Sequence, residues 1–194
     1  MSDIVLIILL LFFIGYGVYT TITDYKWNLK PINNFPFMYR GKEYWYSRSV
    51  ATTPFVFCKN ENNEYCVLAN KRGIGTPDFQ GLWNVPCGYL EFNVNGEENC
   101  QKEVFEETNV KVPIEKFKFL GVNTNPTENK QNVSIRYYAI LDGNINDYKL
   151  NDKNSEKNEV EDIKWIPLNE VKNYEWAFNH NLIIDEIQRT ILNS

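Results

Sequence analysis

The chain has 194 residues, 43% of them apolar and 15% aromatic, with a net charge of −5 and a pI of about 5.1. That length and apolar content suffice for one cored domain with extensions. No block of Lys and Arg is present, which argues against binding long nucleic acid through a clustered basic surface.

Residues 4–23 are twenty positions without a charge, most of them Ile, Leu, Phe and Val. As a helix this run would be roughly 30 Å long, the thickness of a bilayer's hydrocarbon core. Tyr16 and Tyr19 near its end suit an interfacial position. A cleaved signal peptide would want a basic leader and a small-residue cleavage site, and neither is evident. A soluble helix would show a polar stripe, and residues 4–14 have none. A retained single-pass membrane anchor over residues 1–23 is therefore expected. Asp3 precedes the span and Lys26, Lys30, Arg40 and Lys42 follow it, so the positive-inside rule places the following domain on the cytoplasmic face. Residues 24–48 read as an aromatic tether, in which Pro31, Pro36 and the Asn33-Asn34 pair oppose a long helix. Its aromatic side chains either lie at the membrane surface or, the plainer reading, pack on the domain.

A folded domain is expected over residues 49–194. Residues 50–59 and 65–71 alternate as paired strands around the polar turn 60–63. Residues 72–86 read as a loop rich in Gly and Pro. Its Gly73-x-Gly75 pair is a weak sign of phosphate cradling, with Lys71 and Arg72 beside it as phosphate contacts or as plain surface charges. Downstream, 117–125 and 132–141 read as strands with a turn at 126–131, 144–158 as a polar loop and 161–166 as another strand. Residues 179–192 close the chain as an amphipathic helix with Leu182, Ile183, Ile187 and Ile191 apolar. Helices layered on a mixed curved sheet make an α+β fold. The four cysteines show no CxxC spacing, so a zinc site is not expected, and the single histidine, His180, rules out a His cluster. A structural role at the start of the last helix is the expectation for His180.

The chemistry concentrates between Gly88 and Val110. Glu98, Gln101, Lys102 and Glu103 are good helix formers, and Cys100, Val104 and Val110 are placed to face inward. On that helix Glu103 shares a face with Glu106 and Glu107, with Cβ atoms roughly 5–6 Å apart. Such like charges repel, and a hard divalent cation with oxygen ligands, Mg²⁺ before Ca²⁺, would compensate them. A solvated acidic helix face is the alternative explanation.

The stretch also resembles a specific signature, that of the Nudix hydrolase family. Gly88 opens the family's box, and Lys102-Glu103-Val104-Phe105-Glu106-Glu107-Thr108-Asn109-Val110 closes it at the family's spacing. Trp83-Asn84-Val85-Pro86-Cys87-Gly88 looks like the W-x-x-P-G-G approach, and Trp165-Ile166-Pro167 like a step common late in these domains. Val94 stands where the family has a glutamate, Lys102 where it has arginine, Asn109 where it has glycine, and Cys87 where a glycine often stands. Asn109 can take the left-handed helix end that glycine would take, whereas lysine keeps the charge of arginine and loses its bidentate fork.

The resemblance implies a Nudix-like α/β/α sandwich with a mixed curved sheet. It also implies an Mg²⁺-dependent hydrolase, with Mn²⁺ as the other candidate metal, cleaving the diphosphate linkage of a nucleoside diphosphate joined to another moiety. Gly88 through its carbonyl, Glu103, Glu106 and Glu107 would be the metal ligands. Lys102 would position a box carboxylate. Glu106 is the first candidate for the base, and Glu159 the second. Lys71, Arg72, Phe79, Trp83 and the turn at 125–130 are candidate substrate contacts. Two other readings stand beside this one: a catalytically weakened nucleotide-binding module, and a membrane-tethered scaffold. The moiety, the nucleobase and the oligomeric state are not specified by these residues.

Overall fold

The computed structural model describes residues 35–127, 132–153, 155 and 158–192. The chain divides into two compact units, one ending at Ser47 and the other running from Arg48 to Ser194. The expected anchor at residues 4–23 lies outside the described residues. Among the described residues no helix is long and apolar enough to cross a membrane.

The described part of the first unit is a β-hairpin, β1 (Phe35–Tyr39) and β2 (Lys42–Tyr46), where a plain tether was expected. The physical reason is a two-residue turn, Arg40-Gly41, with positive φ at both positions, flanked by aromatic strand formers. Phe37 pairs with Tyr44 across the strands, and their rings stack at 5.7 Å.

The second unit is built on β3 (Ser49–Lys59), β4 (Tyr65–Arg72), β7 (Lys118–Asn123), β8 (Asn132–Asn144) and β9 (Val160–Pro167). Two short strands join them: β5 (Trp83–Asn84), inside the stretch 72–86 expected to be a loop, and β6 (Gly88–Tyr89), just past it. The sheet runs β5-β4-β3-β8-β7, with β6 also on β3 and β9 also on β4. Among the described strands, β3 and β8 pair in parallel and the other pairs are antiparallel, so the sheet is mixed.

Strand β3 is buried on both faces. Phe55 and Phe57 enter a core with Val67, Ile166, Ile184 and Ile187, while Val56 and Cys58 enter another with Leu68, Cys100, Val104 and Val112. One helix covers each face: α1 (Gly96–Thr108) and α2 (His180–Ile187), the latter continued by a π-helical turn, Gln188–Leu192. This is the α/β/α sandwich. Each fully buried aliphatic or Phe side chain in these layers contributes roughly 1.5–3 kcal/mol. The apolar face of α2 is Ile183, Ile184 and Ile187; Leu182, expected among them, is exposed. Cys58 and Cys66 are cross-strand partners and remain free thiols.

Candidate active site

Helix α1 begins with a capping box: Asn95 accepts from the Glu98 N–H, and the Glu98 carboxylate accepts from the Asn95 N–H. It ends at Asn109 in the left-handed conformation, φ 65°, the place the box gives to glycine. There the Asn109 side chain also donates to the Lys149 carbonyl. Buried Asn99 ties the helix to the sheet by donating to Thr52 Oγ1 at 2.8 Å, and its oxygen accepts from the Glu91 N–H. The helix is thereby fixed with its acidic face toward β6 and the loop before β9.

That face forms one wall of a cleft of about 440 Å³. Glu103, Glu106 and Glu107 line it together with Gly88, and Glu159 reaches it from the loop before β9. Glu107 is buried, accepting from Asn70 Nδ2 at 2.8 Å and from the Cys87 backbone N–H. Burial raises its pKa well above the usual carboxylate range, and the charges of Glu103 and Glu159 add to the rise. Burial likewise raises Glu103 to about 7, against the pull of Lys102 and with the push of Glu106, Glu159 and Glu91. A methyl group on Gly88 would stand 2.2 Å from Glu103 Oε2, so a side chain there would push that carboxylate from its place.

Among the described residues no three metal-binding side chains are already gathered around one point. The donor set nevertheless fits a hard divalent cation. Clustered carboxylates that repel one another, Glu107 among them buried, beside a backbone carbonyl are oxygen ligands of the kind Mg²⁺ and Mn²⁺ take. A cation among them would replace the protons that burial now favours.

Lys102 Nζ lies 2.9 Å from Glu91 Oε1 and 3.2 Å from Glu106 Oε2. The hydrogen bond to Glu91 leads the causes that raise the Lys102 pKa. Glu91 thus supplies a carboxylate partner for Lys102 although Val94 holds the box position of the glutamate. It escaped the sequence reading because it sits three residues before that position, in a loop whose path the spacing does not reveal.

The candidate substrate contacts separate. Arg72 lines the cleft, held by Asp78 at 2.7 Å and stacked over the Phe178 ring at 5.0 Å. Lys71 instead pairs with Glu161 at 2.6 Å and does not line the cleft, because successive strand residues point to opposite faces. Trp83 is buried in the core against Tyr174 and does not line the cleft. Phe79 does not line the cleft itself; it packs on Phe178, which does, with ring centroids 4.7 Å apart. The turn at 125–130 falls partly outside the described residues. Gly73 and Gly75 do not cradle phosphate: their N–H groups donate to the Glu159 and Asn158 carbonyls at 2.7 and 2.8 Å. They hold the loop that carries Glu159. Asn70 and Phe178, both unmarked in the sequence, complete the site.

The family model for the NUDIX domain matches residues 50–187. The chain belongs to the Nudix family. Solved Nudix structures share its fold. The NUDIX domain of Shewanella oneidensis NrtR, complexed with ADP ribose, is 20% identical with a TM-score of 0.63, covering 86% of this chain and 96% of that one. A MutT/nudix family protein from Enterococcus faecalis is 18% identical with a TM-score of 0.62, covering 91% and 70%. A bifunctional NMN adenylyltransferase/ADP ribose pyrophosphatase from Francisella tularensis, complexed with AMP and a Mn ion, is 19% identical with a TM-score of 0.59, covering 89% and 46%. No curated protein matches this chain in sequence. Within the Nudix box of this chain, all three clustered glutamates and Gly88 line the cleft.

Proposed function

We propose that this Nudix domain is a divalent-metal-dependent hydrolase of nucleoside diphosphates linked to a second moiety, with Mg²⁺ as its metal and Mn²⁺ as a substitute. The observation that carries the reading is the convergence of Glu103, Glu106, Glu107 and Glu159 on one cleft that also holds Arg72. A decayed site would have no reason to keep clustered carboxylates that repel one another, one of them buried. Two of the Nudix neighbours are complexed with ADP ribose, a compound of this class, and with AMP, a nucleotide without the diphosphate.

The Gly88 carbonyl, Glu103, Glu106 and Glu107 would hold the cation, which neutralises phosphate oxygens and lowers the pKa of water. Water adds to one phosphorus, the bridging P–O bond breaks, and two phosphate-bearing products leave. Glu106, half-exposed and held by Lys102, takes the proton of the attacking water. Glu159 is the second candidate for that base. Arg72, fixed by Asp78, offers its guanidinium to the phosphate oxygens.

The test is phosphate or nucleotide release by the full chain from a panel of nucleotide substrates, with and without Mg²⁺. Metal-dependent release from one of them is the expected result and would identify the moiety. Silence with both Mg²⁺ and Mn²⁺ favours the second reading, a nucleotide-binding module weakened by Val94, Lys102 and Asn109.

For location, we propose a single-pass anchor at residues 4–23, with residues 24–48 as its tether and the Nudix domain on the cytoplasmic face. The charge-free apolar run supports this, as do the exposed Phe37, Tyr39, Tyr44 and Tyr46 of the hairpin, side chains suited to a membrane interface. The full chain should sediment with membranes, and a chain starting at Asp24 should not. Sedimentation of both would mean that the hairpin itself binds lipid, and of neither that no anchor exists.

A further inference from the structure

His180, the chain's one histidine, takes no part in the chemistry above, yet it is 4% exposed at the first position of α2. Phe178 and Asn179 hold positive φ, at 56° and 57°, and this left-handed pair turns the chain as the helix begins. The imidazole packs on the Phe55 and Phe178 rings, each with its centroid 5.5 Å away. Its Nδ1 accepts the Val85 backbone N–H at 3.2 Å. Burial lowers the pKa to about 3, so the ring stays neutral and Nδ1 remains an acceptor.

Val85 stands three residues before Gly88, whose carbonyl is the backbone ligand of the proposed cation site. It is wholly buried, so its N–H is cut off from water and needs a protein acceptor. Pro86 follows, with a fixed φ and no N–H of its own. The Cys87 N–H then donates to the Glu107 carboxylate, and Gly88 pairs with Thr52 on β3. Upstream, the Trp83 N–H donates to the Glu175 carbonyl at 2.9 Å, and the Asn84 amide to the Val85 carbonyl at 2.8 Å. The segment from Trp83 to Gly88 is thus gripped at both ends. The last helix and the turn before it hold one end, and α1 with β3 holds the other. A chain spans at most ~3.6 Å per residue, so a shift of Val85 reaches Gly88 with little slack.

We propose that His180 is a positioning residue of the cation site: its bond to the Val85 N–H sets the path of residues 85–88, and with it the Cys87 N–H on Glu107 and the Gly88 carbonyl. This rests on the reading of Gly88 and Glu107 as ligands of the cation. A histidine that only filled the core could be replaced by any side chain of similar volume. A positioning histidine cannot, because the buried Val85 donor would be left unpaired and the strand would move to satisfy it. Groups that orient a metal's ligands typically change its affinity by about tenfold or more. His180 acts through a short run of backbone, so a slightly smaller effect is expected.

The experiment measures Mn²⁺ binding to the full chain by the electron paramagnetic resonance of the free ion. His180→Leu keeps apolar bulk and removes the acceptor, and should weaken Mn²⁺ binding about fivefold to tenfold. His180→Asn offers its Oδ1 to the same N–H and should stay within about twofold of the parent. Ile184→Val loosens the same helix without removing a hydrogen bond, so it should lower the melting temperature and leave the affinity unchanged. With one histidine in the chain, the ¹⁵N imidazole resonances of the parent belong to His180 alone. Coupling between two sites is reciprocal, so Mg²⁺ should move the Nδ1 resonance in step with occupancy of the site. Affinity untouched by His180→Leu, an equal loss in Ile184→Val or in His180→Asn, or an Nδ1 resonance unmoved by bound Mg²⁺ would each overturn the proposal. Should His180→Leu fail to fold, the parent's resonance still decides. A parent that binds no Mn²⁺ overturns the cation site and this role with it; Mn²⁺ binding indifferent to His180 overturns this role alone.

Discussion

Glu107→Gln is expected to lower kcat by about 10³ while the melting temperature stays at or above that of the parent. The side chain is buried, and its Oε2 accepts from Asn70. A glutamine oxygen can accept the same bond, so the packing survives while the negative charge is lost. Burial already favours the neutral, protonated carboxyl in the metal-free protein, so a neutral amide costs little there. Glu103→Gln should behave similarly, because Glu103 packs against Gly88 and is the other carboxylate whose pKa burial raises, to about 7. Glu106→Gln should also abolish turnover, but through the base and not through the fold. Glu91→Gln should be the mildest of the series, lowering kcat about threefold to tenfold with KM little changed. It loosens the lysine that holds Glu106. Steady-state kinetics with circular dichroism on each variant would check the series. Parental kcat in Glu107→Gln would sink the metal-site assignment. A larger loss in Glu91→Gln than in Glu103→Gln would mean that Glu91, and not Glu103, acts on the reacting phosphates.

The second large effect is the pH dependence of stabilisation by Mg²⁺. Glu103 rises from 4.5 in the unfolded chain to about 7 in the native one. Between those values the native protein keeps a proton that the unfolded chain has released, so metal-free stability is lost as pH rises through the window. Glu107, raised further in the same direction, extends that loss to higher pH. His180 acts oppositely: its pKa falls from 6.5 to about 3, so stability is lost as pH drops through that range. The two trends oppose each other below about pH 6.5 and blur a plain stability profile. The difference with and without Mg²⁺ isolates the carboxylates, since the cation competes with their protons and not with His180. The Mg²⁺-induced rise in melting temperature should be near zero at about pH 5 and reach about 3–6 °C at about pH 8. An equal rise at both values, or none at the higher one, would show that these glutamates do not hold the ion.

What the sequence determined by itself was whatever depends on short separations along the chain. The spacing of Glu103, Glu106 and Glu107 already places them on one side of a helix, because helical geometry is a property of the backbone. Asn109 could be assigned the helix end from its tolerance of positive φ, and the structure places it there at φ 65°. The strand pair around the turn at 60–63 was legible for the same reason, since hairpin pairing is local. Tertiary structure alone decided which distant residues complete the site. Asn70 holds Glu107 from 37 residues away, Glu91 reaches Lys102 across 11, and Phe178 arrives from a turn before the last helix. It also withdrew Trp83 and Lys71 from the cleft, although their types suited it, because burial and strand alternation aim them elsewhere. Such contacts depend on the packing of whole layers, and no spacing within one stretch of chain encodes them.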